Sequence, residues 1–404
     1  MKGETNSIYK ESKIAFTVCN LGYLEKALVL ANSLHKTNQL KTNIFIFDEQ
    51  IDLPIFEGHI IITWIKEVAS SDFLQHAFKY NVIELTTAYK PYLAKKLIQN
   101  YDQVFFFDPD IMFFGSLKCI YEKLTTHDFL LSPHLNSVQW DPSENIHMQR
   151  FGFFNLGFFA LNKSDISISI LDWWWKQCQS HCFDEPHYGM FTDQKWMSLA
   201  PFYFPEIGVV NNSELNVAWW NLKERVLTHK DDKFYVNGTP LMFFHFSSFG
   251  DRNTLSKRPY HLGYNKSKTL NKLALLYESN LDRLKVNINT KYSFDYFNDG
   301  DYINPVLRRA YASCIEDFIE LSNPFSKPKK LNVFISKNYL NSRSTVNLSH
   351  IGHQQRKDNL KFIIFYSSLV RLVLRIVGPN RFIAFNRLIT YSSSLINFKE
   401  LWRK

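Results

Sequence analysis

At 404 residues and 45% hydrophobic content, the chain can fill one large α/β domain with appendages or two domains, and its composition is that of a globular protein. The formal charge of +9 is unevenly placed: from Arg356 onward ten Lys or Arg stand against Asp358 and Glu400, a net +8, which excludes a basic nucleic-acid-binding core. Five cysteines, at 19, 119, 178, 182 and 314, are odd in number and scattered, and Met1 to Lys13 lacks the apolar stretch of a secretory signal, so a reducing, cytoplasmic setting is expected.

In chain order, Ile14 to Cys19 reads as a strand, and Tyr23 to Leu34 has apolar residues at helical spacing. Asn43 to Phe47 and Ile60 to Trp64 read as two further strands, the alternation of a mostly parallel α/β sheet. Thr86 to Asn100 predicts a helix with Pro91 in its first turn, and Gln103 to Phe107 a buried strand running into Asp108-Pro109-Asp110. Phe151 to Leu161 and Leu241 to Phe246 are strand-like, while Ser167 to Gln177, with three consecutive tryptophans, is helical. Helices are expected around Ser267 to Lys285 and Pro305 to Leu321. The polar stretch from Ser322 to His353 reads as a linker, and Arg308 and Arg309 as groups that either reach phosphate or face solvent.

Two carboxylates one residue apart can point to the same side of an extended chain and offer oxygens to one hard cation. Asp and Pro also favour solvated turns. Here apolar chain flanks the acids on both sides, where unpaired charge is costly, and they close a strand at the end where open α/β sheets bind ligands. His245, in the apolar run Phe243 to Phe246, is either a hydrogen-bonded core histidine or a third ligand. Cys178-Gln-Ser-His181-Cys182 has no second cysteine pair at zinc spacing and reads as a helix end.

With Phe-Phe-Phe-Asp108-Pro-Asp110-Ile, then Phe243-Phe-His245-Phe-Ser-Ser-Phe-Gly250 and Lys257-Arg-Pro259-Tyr260, residues 12 to 262 resemble the GT-A nucleotide-sugar glycosyltransferases. The likeness is greatest to the retaining glycosyltransferase family 8 of bacterial lipopolysaccharide synthesis. The resemblance implies a Rossmann-like mixed, mostly parallel sheet flanked by helices. It implies Asp108, Asp110 and His245 as ligands of Mn²⁺, with Mg²⁺ the second choice because that ion prefers all-oxygen coordination.

It further implies that Thr17, Asn20 and Tyr23 face the nucleotide base, Lys90 the phosphates, and Asn155 and Gly157 the donor sugar, with Lys257 in the donor-binding set and Asp193 and Gln194 near the reacting carbon. Taken singly, each of these also reads as an ordinary turn, helix start or surface lysine. Proline between the acids and the Trp-rich helix depart from the family pattern, so sugar identity is not carried over.

The expected organisation is a GT-A catalytic domain over 1–262, a helical extension over 263–330 and a basic, partly amphipathic region over 331–404. In that last region, Leu360 to Val377 predicts an amphipathic helix ended by Gly378-Pro379, suited either to an anionic membrane surface or to packing on the domain. The expected activity is sugar transfer from a nucleotide-sugar, first a UDP-sugar, to a glycan or lipid-linked glycan acceptor at the inner face of the cytoplasmic membrane. A metal-dependent phosphohydrolase and a non-catalytic carbohydrate-binding scaffold are the alternatives.

Overall fold

The structure, a computed structural model, describes residues 12–250, 267–289 and 291–340, then 369–393 apart from 371 and 374, and 400–403. Lys257, the boundary expected at 262 and the first part of the predicted tail helix lie outside the described residues. By its contacts the chain divides into two compact units, Met1–Ser70 with Val82–Ser293 and Ser71–Asn81 with Phe294–Lys404.

The first unit is built on a seven-stranded sheet. Four of its strands, β1 (Lys13–Cys19), β2 (Thr42–Ile46), β3 (Ile60–Trp64) at one edge and β4 (Gln103–Phe107), run parallel. A short strand, β5 (Ile111–Phe113), lies outside this sheet. Beyond β4 come β7 (Phe154–Asn162), antiparallel to both its neighbours, then β6 (Phe129–Pro133) and the edge strand β8 (Ile207–Val209). The order is therefore β8-β6-β7-β4-β1-β2-β3. This is the Rossmann-like, mixed and mostly parallel sheet expected.

β1, β4 and β7 are buried along nearly their whole length, as strands covered on both faces must be. That accounts for their unbroken apolar sequences. The helices α1 (Leu24–Asn38), α2 (Lys90–Ile98) and α3 (Asp165–Ser180) match the predicted periodicities to within a few residues. In α3, Trp174 is fully buried against Phe159, whereas Trp175 packs on Tyr89 and Tyr92 of the α2 region, with ring centroids 4.9 and 5.1 Å away. The tryptophan run thus joins α3 to the sheet and to α2. A helix over Lys268–Arg283, α4, closes the unit by burying Leu270, Leu273, Ala274 and Tyr277.

The second unit corrects two expectations. The stretch read as a linker holds a helix, α5 (Lys329–Lys337), because Leu331 and Ile335 stand four apart and bury together. Arg308 neither reaches phosphate nor faces solvent. It is buried, donates to the carbonyls of Ala77, Phe78, Tyr80 and Phe294, and pairs with Asp295 at 2.9 Å. One guanidinium thus satisfies four backbone acceptors. In the tail, Gly378 takes a left-handed φ of 77° and stops one helix, and Pro379 opens the next, Pro379–Ser393. No helix among the described residues is long and apolar enough to cross a membrane.

Candidate metal centre

The strand β4 ends where Pro109 cannot continue it. Asp108 donates its N–H to the Gly157 carbonyl of β7, and the Ile111 N–H returns to the Asp108 carbonyl, making a turn with Pro109 at its first corner. The sequence thus forms the turn that Asp and Pro favour, and the turn aims both acids inward. The chain then enters β5, which pairs antiparallel with β9 (Phe243–His245), setting His245 opposite Ile111.

This register brings His245 to two acids more than a hundred residues earlier in the sequence. His245 Nε2 lies 3.0 Å from an Asp110 oxygen and 3.7 Å from an Asp108 oxygen, and one ligand atom from each residue falls within 4.8 Å of the others. Burial works against the charges, yet His245 facing it holds the Asp110 carboxyl below its ordinary range. Asp110 in turn raises the His245 pKa despite burial.

Gly157 supplies the floor. A Cβ there would stand 2.5 Å from His245 Cε1, 2.7 Å from Asn155 Oδ1 and 2.9 Å from Asp108 Oδ2. The sequence reads this glycine as room for a sugar; in the structure the position is walled by His245, Asn155 and Asp108. Two carboxylates and one imidazole over a floor that leaves no space for a methyl group form a donor set fit for a divalent cation.

Lys90, the first residue of α2, is buried between two acids. Its Nζ lies 3.3 Å from Asp108, 3.2 Å from Asp193 and 3.0 Å from the Leu156 carbonyl, to which it donates. Burial raises the Asp193 pKa even with Lys90 beside it. Asp193 follows Thr192, a β-branched residue at φ 45°, an uncommon and strained conformation. Exchanging Lys90 for methionine should cost about 3–5 kcal/mol by leaving Asp193 buried without its cation. Denaturant unfolding of Lys90→Met and of Lys90→Met/Asp193→Asn checks this, since the second change should recover much of the loss.

Other expected residues meet different fates. Both ends of the Gln194 amide are engaged by backbone: its Nε2 donates to Phe151 O at 2.8 Å, and its Oε1 accepts from Leu156 N at 3.4 Å. Asn155 accepts from Gly157 N and from the Asn216 amide. The Tyr23 ring is 40% exposed, and Asp110 and Asp108 add to burial in raising its pKa, so it borders the acids. Thr17 and Asn20 sit at the end of β1, the strand beside β4. The Thr17 hydroxyl is buried with no hydrogen-bond partner among the described residues.

Three residues at the centre were missed. Lys26 lies 4.2 Å above the Tyr23 ring, donates to the Phe249 carbonyl and acts electrostatically on Asp110. Its spacing of three from Tyr23 in the first turn of α1 was a readable signal. Asn216 and His134 carried no local signal: Asn216 stands in the polar run Asn211 to Asn216, and His134 directly after the short strand β6.

No family model matches the chain. Among curated proteins it is similar to two from Bacillus subtilis (strain 168). One is Uncharacterized protein YfnF, 28% identical over 151 residues, 37% of this chain and 50% of YfnF. The other is Uncharacterized protein YfnD, 26% identical over 197 residues, 47% of this chain and 62% of YfnD. The chain spans less than two thirds of the length of either.

Among solved structures it is similar to the galactosyltransferase LgtC in complex with donor and acceptor sugar analogs. That match has 16% identity and a TM-score of 0.43, and covers 69% of this chain and 98% of that one. It is also similar to the glycosyltransferase GlyE of Streptococcus pneumoniae TIGR4, with 13% identity and a TM-score of 0.40 over 71% of this chain and 67% of that one. At these scores the likenesses are partial.

Proposed function

We propose that the protein is a metal-dependent glycosyltransferase that moves a sugar, with retention, from a nucleotide-sugar, first a UDP-sugar, to a cell-envelope glycan such as lipopolysaccharide, O-antigen or capsule. The observation that carries this reading is the triad of Asp108, Asp110 and His245 at the carboxyl end of a central parallel strand, the place where open α/β sheets bind ligands. Mn²⁺ suits the mixed oxygen and nitrogen donors. Bound there, the cation neutralises charge developing on a leaving diphosphate.

The chain's own residues divide the remaining work. Tyr23 offers an exposed ring to a base, with Lys26 beside it as a cation toward phosphate. Lys90 pairs with both Asp108 and Asp193 and so ties Asp193, taken here as the group that meets the sugar, to an acid of the cation site. The catalytic domain of this reading spans 1–262, followed by the helical and basic regions. The tail, with Arg375, Arg381 and Arg387 among exposed Ile376, Ile383 and Phe385, favours an anionic membrane face and a lipid-linked acceptor.

Product analysis separates this reading from its rivals. With Mn²⁺ and a panel of UDP-hexoses, UDP release should rise when a glycan fraction from bacterial envelopes is added, with sugar label passing to the glycan. Phosphate released without acceptor would indicate a phosphohydrolase, and no turnover with any donor a scaffold.

A further inference from the structure

We infer that Asn216 and Asn155 are positioning residues that fix the ring of His245 with Nδ1 protonated, so that Nε2, turned to the two aspartates, is the nitrogen that gives up its proton to take a cation. The inference rests on reading Asp108, Asp110 and His245 as a cation site. It follows from one donor whose identity is not open to choice, the backbone N–H of Gly157.

That N–H points at the Asn155 side chain at 3.1 Å, so the atom it meets must be the Asn155 oxygen, since a flipped amide would set donor against donor. The same Asn155 oxygen lies 2.9 Å from the Asn216 amide, which must therefore present its NH₂. The Asn216 oxygen is then the atom 3.2 Å from His245 Nδ1, and an oxygen there demands a proton on that nitrogen. Nε2 is left to face Asp110 and Asp108.

The other end of the relay agrees. The Asn155 NH₂ lies 3.4 Å from His134 Nε2, which must accept, and burial keeps His134 neutral by lowering its pKa to about 4. Asn216 itself is buried at a left-handed φ of 54°, a conformation that asparagine tolerates better than most residues, and its carbonyl accepts from Asn221. Trp220, 5.3 Å from the His245 ring, packs edge-on and limits its rotation. A cation held through Nε2 requires this tautomer, and partners that orient a ligating imidazole typically contribute 10–100-fold in metal affinity.

The test uses the full chain and the metal alone. Mn²⁺ affinity is measured by calorimetry for wild type, Asn216→Gly, which accepts the left-handed backbone, and Asn216→Asp, which keeps an oxygen toward Nδ1–H but turns acceptor against acceptor at Asn155. Positioning predicts affinity in the order wild type, Asp, Gly, with Gly about 10–100-fold below wild type. A merely structural residue would make affinity follow the unfolding midpoints, with Asp at least as damaging as Gly.

In parallel, ¹⁵N-histidine NMR with Zn²⁺ as a diamagnetic probe should show wild-type His245 metallated at Nε2 and protonated at Nδ1. Asn216→Gly binding Mn²⁺ as tightly as wild type, or Zn²⁺ on Nδ1, overturns the inference while leaving the cation site standing. Wild type that binds neither metal overturns both, and is recognised because the unaltered protein fails.

Discussion

Asp110→Asn is expected to abolish metal-dependent turnover while leaving the protein folded. Asparagine matches aspartate in shape but brings no charge to the cation and offers only one oxygen. If the cation contributes about 4 kcal/mol to stabilising a leaving diphosphate, within the several kcal/mol that a bound metal supplies, kcat/KM falls about 10³-fold. The buried Asp110 carboxylate faces His245 at 3.0 Å, so its loss also releases the imidazole from its charged neighbour. Steady-state kinetics with Mn²⁺, alongside the unfolding midpoint, checks both halves. Activity within threefold of wild type would remove Asp110 from the reaction.

The second large effect concerns a residue with no side chain. Gly157→Ala places a methyl carbon 2.5 Å from His245 Cε1 and 2.9 Å from Asp108 Oδ2, closer than such atoms approach, so the ligands must move. Overpacking of this kind costs about 1–3 kcal/mol, and a displacement of ~1 Å at a reacting centre costs about 10² in rate. Both should appear together, as a lowered unfolding midpoint and weakened Mn²⁺ binding. Gly58→Ala, where an added Cβ meets nothing within 4 Å, should change neither. If Gly157→Ala binds Mn²⁺ normally, the floor of the site is not where the fold puts it.

Local pattern carried much of the fold. Ile60 to Trp64 and Gln103 to Phe107 form strands at the expected residues, the second because a buried central strand leaves a continuous apolar run, the first, a half-buried edge strand, because its β-branched isoleucines favour extended chain. β6 was missed, its apolar run stopping after Phe129, Leu130 and Leu131 at Ser132 and Pro133. The antiparallel position of β7 between β4 and β6 was not legible either. Its sequence is as apolar as a parallel strand's, and direction is decided by connections rather than by composition.

The candidate site divides similarly. Asp108 and Asp110 announce themselves by closing an apolar strand, and His245 by standing in one. The pairing of β5 with β9 that brings them together spans more than a hundred residues and has no local signature. Gly157 was singled out for an approaching sugar, while the side chains that crowd it, His245, Asn155 and Asp108, come from tertiary packing that no local pattern announces. Asn216 lies in a polar stretch, and its burial is created by tertiary packing alone. Arg308 was left between phosphate and solvent because three of the four carbonyls it satisfies belong to a segment some 230 residues earlier.

Calorimetric titration of UDP, GDP and their common sugar conjugates into wild type and Asp110→Asn, with and without Mn²⁺, bears most directly on whether this is a nucleotide-sugar enzyme. One nucleotide family, expected to be the uridine one, should bind wild type only when Mn²⁺ is present and should not bind the variant. Binding of no nucleotide under any condition, or binding indifferent to Mn²⁺ and to Asp110, would contradict a donor diphosphate held by a cation on Asp108, Asp110 and His245.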